Sequence, residues 1–576
     1  MHADNFMGFN LRSSAFICGF IVCGFQLPLR RPPTKAAQRR LEERKLPARI
    51  GMLLGFLAAT TLAAQMFPPR SRTSAWPRLE LLAQVSFPGA RAADIWVHGE
   101  YAWLGAWSCG HGVKVVDISN PRQPLALDAL VTDPGSTSED VVVIRADTPA
   151  FRGDLLAVGL QPCRAGGAKG VQFWDVTDPR SPRKLGFVDT DVPNIGVHEL
   201  HLFQRGDRVF ALLAVPNSEV RYGQGDFRIV EATDPANPRE IARWGILERL
   251  GPQSEVPSTI CHSAWTNEQG SIAFLSYWAA GVVMLDITEP ANPRFLGRTG
   301  YQPGEDGNAH SVWTAKDGKV LLVADEDFTP GRARLEITEP VSLAGPLSAS
   351  ELPFPQTVCR GGDLAGDVFY VGRGCNNDQY LTSPAGAIPL IDDGACTFGE
   401  KALRAQAAGA VAVIVARAAT GPPALGNTDS VAIPGVLLSA ADGARLQTAL
   451  SSGRLRVALR ADPNDTWGFL RLFDISNPSS PAPIGTFATP HSRQCPPPGP
   501  GWYTIHNPFV VGDTAFLSWY ADGVRMVDIS DPANPRELAF FVPPENPAVW
   551  GVYARDDLVF LSDINNGLFI LRRRGQ

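Results

Sequence analysis

Short apolar stretches of alternating or β-branched residues recur along this chain, each bounded by Gly, Pro, Asn or Asp. Near the C-terminus they read "TAFLSWY" (514–520), "GVRMVDIS" (523–530) and "ELAFFV" (537–542). Alternation at period two between turn residues predicts strands, and no helical period competes with it in these segments. The third strand of each set runs into a repeated phrase: "VVDISNPRQPL", "FWDVTDPRSPRKL", "IVEATDPANPREI", "MLDITEPANPRFL", "LFDISNPSSPAPI" and "MVDISDPANPREL". In D-P-x-x-P, proline fixes φ and the Asp or Asn side chain caps the turn, so the phrase predicts a rigid hairpin into a fourth strand.

Aligned on the acidic residue, the copies fall at Asp117, Asp175, Glu231, Asp286, Asp474 and Asp528, at intervals of 58, 56, 55, 188 and 54. A degenerate seventh copy, "NGLFILRRR", lies near Ile570. Four short strands per unit at this period predict propeller blades, and seven units predict seven blades. "ELLAQVSF" (80–87) precedes the first unit and matches the strands after the turns. It is expected to supply the outer strand missing from the last unit, which would leave no open sheet edge.

One interval exceeds the others by about 130 residues, as an insertion into a blade loop would produce. The unit beginning "HSVWTAKDGKVLLVADEDF" (310–328) breaks off and resumes at "WGFLRLFDISNP" (467–478). Between them "GAIPLIDDGACTFGEKALRAQAAGAVAVIVARA" (386–418) reads as strand, helix, strand, and "IPGVLLSAADGARLQTAL" (433–450) as strand, helix. The predicted fold class is therefore mainly β: a seven-bladed β-propeller with an α/β domain inserted in blade five. The expected division is a targeting segment at 1–75, propeller at 76–332, insert at 333–462 and propeller again at 463–576.

The repeated phrase resembles that of the LVIVD-repeat family, a set of predicted extracytoplasmic propellers, over about 80–330 and 466–574. The insert resembles the protease-associated (PA) domain through Gly394-Ala395-Cys396-Thr397-Phe398, Lys401, the run Ala405 to Ala410, and Ile433-Pro434. That resemblance implies a non-catalytic lid or interaction module. No protease accompanies it here: "HELH" (198–201) lacks the HExxH spacing, and there is no GxSxG. In the PA reading Cys375 and Cys396 both lie in the insert and are expected to bridge, as in some PA domains. Cys109 and Cys163 occupy equivalent positions in adjacent blades, before "GVKVVD" and "GVQFWD", and are expected to meet. Cys261, Cys359 and Cys495 are left unassigned.

Ile50–Ala64 is an apolar run preceded by Arg44, Lys45 and Arg49 and ended by small residues. This is the three-part pattern of an export signal, and it is short for a membrane span. An extracytoplasmic chain follows, with membrane attachment only through an uncleaved N-terminal segment. Net charge is −6 and the body has no basic block, which argues against nucleic acid.

Nine histidines occur, and His198, His262, His310 and His506 share one register, each opening the first strand of its unit. First strands line a propeller's channel, so four consecutive units aim imidazoles at one mouth. Asp94 and Asp140 fall near this register in the first two units. Imidazole is a common donor to divalent metals, which makes a metal at the channel one reading and repeat-copied structural histidines the other. Asp325 and Asp327 in "ADEDF" suggest a calcium site, set against a solvated acidic turn. The leading functional expectation is a non-catalytic binding or scaffold protein that takes a protein or peptide partner on the propeller face and the PA domain. The alternative is a metal-dependent enzyme built on the four histidines.

Overall fold

The computed structural model describes residues 78–574 except 128–129, 131, 254–257, 302–306, 329–332, 348, 353, 417–425, 427, 429, 463–465 and 496. The expected targeting segment lies outside the described residues. Seven antiparallel sheets form the blades of a β-propeller, each built on four strands ordered from the channel outwards. Their first strands are Ala92–His98, Val141–Asp147, Leu200–Arg205, Ser263–Thr266, Ala309–Ala315, Pro508–Val511 and Val549–Arg555, in blades 1 to 7. The ring closes as the sequence suggests. The outermost strand of blade 7 is Arg78–Val85, paired antiparallel with Gly567–Arg574, and Arg574 donates to Glu80 at 2.6 Å across the seam.

The repeated phrase has a local cause and a packing cause. Its first acid ends the third strand and accepts from the residue two positions on, as Asp528 does from the Ser530 N–H. Its second acid or Asn caps the turn, as Asp531 does for the Ala533 N–H and Asn120 for the Arg122 N–H. An arginine on the fourth strand returns to the first acid, as Arg536 does to Asp528 at 2.8 Å. The turn then packs on the neighbouring blade. In blades 2, 4 and 5 the fourth strand bulges at Leu185, Leu296 and Ile484, each directly before a glycine, Gly186, Gly297 and Gly485. A Cβ at these glycines would lie 2.4, 2.3 and 2.2 Å from the carbonyl oxygens of Pro235, Pro478 and Pro532 in the following turn. At these three junctions the phrase is therefore read twice, once to turn and once to dock.

The insert leaves blade 5 after the second strand (Val320–Asp325) and returns at the third (Leu470–Asp474). It is an eight-stranded mixed sheet with a parallel centre: Leu364–Gly372, Ile388–Asp392, Val413–Ala416 and Gly435–Leu438. Helices Phe398–Ala407 and Ala440–Ser451 cover it, each N-capped by a hydroxyl, Thr397 and Ser439. Its own core includes Leu335, Val368, Ile388, Ile414, Val436 and Leu459.

Cys109–Cys163 links blades 1 and 2, and Cys375–Cys396 lies within the insert. A third bond, Cys359–Cys495, ties the insert to the propeller loop between blades 5 and 6, and Cys261 is free and buried. Three disulfides fit an oxidising, extracytoplasmic compartment. Among the described residues no helix is long and apolar enough to cross a membrane. Replacing Cys109 and Cys163 by Ala opens a cross-link spanning 54 residues. The expected loss is about 2–4 kcal/mol, read as a lower guanidinium midpoint against the oxidised parent; an unchanged midpoint would show that the bond adds nothing to the docking of blades 1 and 2.

Candidate functional site

The histidine register is set by backbone pairing. The N–H groups of His198, His262 and His506 each donate to a carbonyl at the end of the second strand of their own blade, at Ala214, Ser276 and Ser518. Each imidazole is thereby placed at the same height at one mouth of the channel. The same height is occupied by Glu139 in blade 2 and Trp550 in blade 7.

The four histidines form an arc of touching rings. Centroids are 4.2 Å apart for His198 and His262, 4.0 Å for His262 and His310, and 4.3 Å for His310 and His506. Trp550 follows His506 at 3.9 Å, and Trp107 completes the circle at 5.2 Å from Trp550 and 6.0 Å from His198. The second strands end at this mouth too, and the residues after them join the site. Trp278 stands 5.2 Å from His262, and the Tyr520 hydroxyl donates to Glu326 at 2.6 Å. All four histidines are at most 3% exposed.

Three buried glutamates interleave with the imidazoles. Glu139 pairs with His198 Nδ1, and His198 Nε2 meets His262 Nε2 at 2.7 Å. Glu199 lies 3.6 Å from His262 Nδ1 and 3.9 Å from His310 Nε2. Glu326 lies 3.6 Å from His310 Nε2 and 4.0 Å from His506 Nε2. Two sets of three donor atoms therefore lie within 4.8 Å of one another, Glu199/His262/His310 and His310/Glu326/His506. Burial holds His198 down at about 3 and pushes His262, His310 and His506 well below the usual histidine range. The imidazoles are thus neutral, the form that donates to a metal. Burial also pushes Glu139, Glu199 and Glu326 well above the carboxylate range. Repulsion from neighbouring carboxylates adds to the rise for each of the three.

One residue further along the first strands is a polar layer containing Asp94, Asp140, Glu199, Ser263, Ser311 and Asn507, around a cavity of about 70 Å³. That is room for several waters, each needing about 10–15 Å³ on this measure. Asp94 accepts from Asn507 and is pushed up to about 6 by burial, while Asp140 accepts from the Leu200 N–H. Two residues beyond, a second aromatic ring crosses the channel. Trp265–Trp313, Trp313–Phe509, Phe509–Tyr553 and Tyr553–Trp96 centroids are 4.1, 4.4, 4.5 and 5.2 Å apart, and His201 lies on Trp265. The cavity is thus lined by this polar layer and by the second aromatic ring together.

Asp325 and Asp327 of the acidic turn are both buried, and Asp325 is engaged by protein partners. Asp325 accepts from the Tyr301 hydroxyl and the Asn308 N–H on one oxygen and pairs with Arg471 at 2.8 Å on the other. A guanidinium thus already balances the charge of Asp325. The neighbour between them, Glu326, is the residue that reaches the histidines. The sequence reading singles out none of Glu139, Glu199, Glu326, Trp107 and Trp278 for this site. Aligning Glu139 with the histidine register would have found it. Glu326 and the two tryptophans each follow a second strand, and only the ring geometry brings them in.

Models of two families match the chain. LVIVD repeats cover 89–128, 464–489 and 510–541, and a PA-domain model covers 362–446, inside the insert. The insert is a PA domain. Leucine aminopeptidase 2 of Trichophyton rubrum is 34% identical over 104 residues, 17% of this chain and 21% of that protein. Vacuolar-sorting receptor 1 of Pisum sativum is 31% identical over 146 residues, 22% of this chain and 23% of that one. The chain thus spans about a fifth of the length of these curated relatives. Among solved structures, an aminopeptidase from Aneurinibacillus sp. strain AM-1 shares 21% identity over 27% of this chain and 37% of its own, with a TM-score of 0.21. The Cps50 (Swd1) propeller domain of Myceliophteria thermophila shares 8% identity over 84% of this chain and 98% of its own, with a TM-score of 0.41. A PA domain on a propeller fits a protein-interaction role.

Proposed function

We propose that the chain is an extracytoplasmic binding protein whose working face is the histidine-bearing mouth of the propeller together with the PA domain, and whose partner is a protein or an extended peptide. The observation that carries this reading is where the PA domain is attached. Its base starts at Asp327 and Phe328, directly after Glu326 of the histidine ring, and the chain returns at Trp467 and Gly468. The Phe328 ring lies against Trp502 and Tyr520, at 5.3 and 5.5 Å, and Tyr520 in turn stands 5.3 Å from His506. Cys359–Cys495 then gives the domain a second anchor at the same end of the ring. A module held at two points over one mouth is pre-organised to bind jointly with it.

Peptides selected from a displayed library on the full chain test this reading. Hydrogen exchange on the bound complex should slow in both the PA domain and the loops of the histidine mouth. Breaking the tie with Cys359→Ser and Cys495→Ser should weaken binding by about tenfold or more, because the two parts lose their fixed relation. Protection confined to the outer blade edges, or no enrichment of any peptide, would refute it.

A further inference from the structure

The geometry points to a divalent transition-metal site at His310, His506 and Glu326, beyond any partner-binding role and independent of it. Three observations converge on it. First, the donor atoms of these residues lie within 4.8 Å of one another, with all three residues buried. A metal ligated at about 2.0–2.2 Å holds its donors about 3–4 Å apart, so small side-chain rotations complete the site.

Second, His506 is 0% exposed, and among the described residues neither of its ring nitrogens has a hydrogen-bond partner. The Trp550 backbone is near enough to favour a charged ring, yet it does not reach hydrogen-bond geometry. His310 Nδ1 likewise falls short of hydrogen-bond geometry, with the His506 backbone nearby. A neutral imidazole carries one N–H donor and one acceptor, and burying both unmet is rare in a folded protein unless a water or an ion takes them up. The contrast with His198 is informative. That ring has Glu139 and Gln161 at Nδ1 and His262 at Nε2, so both its nitrogens are already met by protein groups.

Third, Glu326 is oriented from outside. The Tyr520 hydroxyl holds Oε1, leaving Oε2 towards His310 Nε2. A ligating carboxylate fixed by a second hydrogen bond is the usual outer support of a metal site.

Two imidazoles and one carboxylate select the class of ion. Nitrogen donors favour first-row transition metals over calcium and magnesium, which take oxygen. Three protein ligands leave coordination positions open for water or a small ligand. Glu199, 3.9 Å from His310 Nε2, borders those positions.

The test uses the full chain, stripped with chelator and reloaded with Zn(II), Co(II) or Ca(II). We expect about one equivalent of zinc by elemental analysis and a Co(II) visible band, with calcium bound at least about a hundredfold more weakly. Glu326→Gln keeps the volume and the Tyr520 contact, and His506→Ala removes a ligand. Both should lower Zn(II) affinity by about a hundredfold or more, while the far-ultraviolet dichroism of the metal-free protein stays that of the parent. If a variant does not fold, the Co(II) band of the parent decides alone. A folded parent without the band, zinc bound equally by the parent and both folded variants, or calcium bound as tightly as zinc would each overturn the proposal.

Discussion

Replacing strand Arg78–Val85 with a Gly/Ser linker converts the chain from a monodisperse species into a concentration-dependent oligomer with a thermal midpoint lower by on the order of 10 °C. This strand contributes the whole outer edge of blade 7, in seven register pairs with Gly567–Arg574. Without it the backbone of that strand faces solvent, and Leu568, Phe569, Ile570 and Leu571, all within 1% of complete burial, lose part of their cover. An unpaired apolar edge recruits another chain, and a ring whose two ends are no longer held in one sheet can open. Light scattering over a dilution series, with thermal unfolding, checks both parts. A monomer melting with the parent would show that the other six blades hold the ring closed unaided.

Trp519→Ala is expected to lower unfolding free energy by about 3–5 kcal/mol. The indole is 0% exposed in the core shared by blades 5 and 6. Its N–H donates to Ser492 Oγ at 2.9 Å and to the Tyr503 carbonyl at 2.8 Å. The change therefore opens a large cavity and also strips a donor from two buried acceptors in the loop that carries Cys495. Trp519→Phe, which fills much of the volume without the N–H, separates the two effects and should recover more than half of the loss. Urea unfolding of the three proteins measures this. Equal stability of the parent and the Ala variant would mean that the neighbouring side chains collapse to refill the space.

Local grammar made the propeller legible. The turn acids at Asp117 to Asp528, the prolines and the glycines after the bulges act within a few residues or on the next blade, so repetition exposes them. The histidine register was visible for the same reason: one residue per unit, always opening the first strand. What the sequence hid depends on closure of the ring. Glu326 follows the second strand of blade 5 between two aspartates, and nothing local marks it as the one that reaches the histidines. Glu139 faces His198 across a blade boundary, and Cys359 meets Cys495 across 136 positions. No local pattern encodes such meetings, because they follow from where seven blades and an insert place distant segments.

The narrow base of the PA domain also bears on the order of assembly. The chain departs and returns within one rung of sheet, since the Asp325 N–H donates to the Phe469 carbonyl. If the intervening segment were slack, bringing those ends together would require closing a loop of well over a hundred residues, about 3 kcal/mol dearer than a hairpin by loop-length scaling. Once the PA domain has its own core, its ends are already adjacent and that entropy has been spent elsewhere. During synthesis the PA domain is also complete before the third strand of blade 5 leaves the ribosome. The insert then works as a preformed clasp, and blade 5, which carries His310 and Glu326, is built around it.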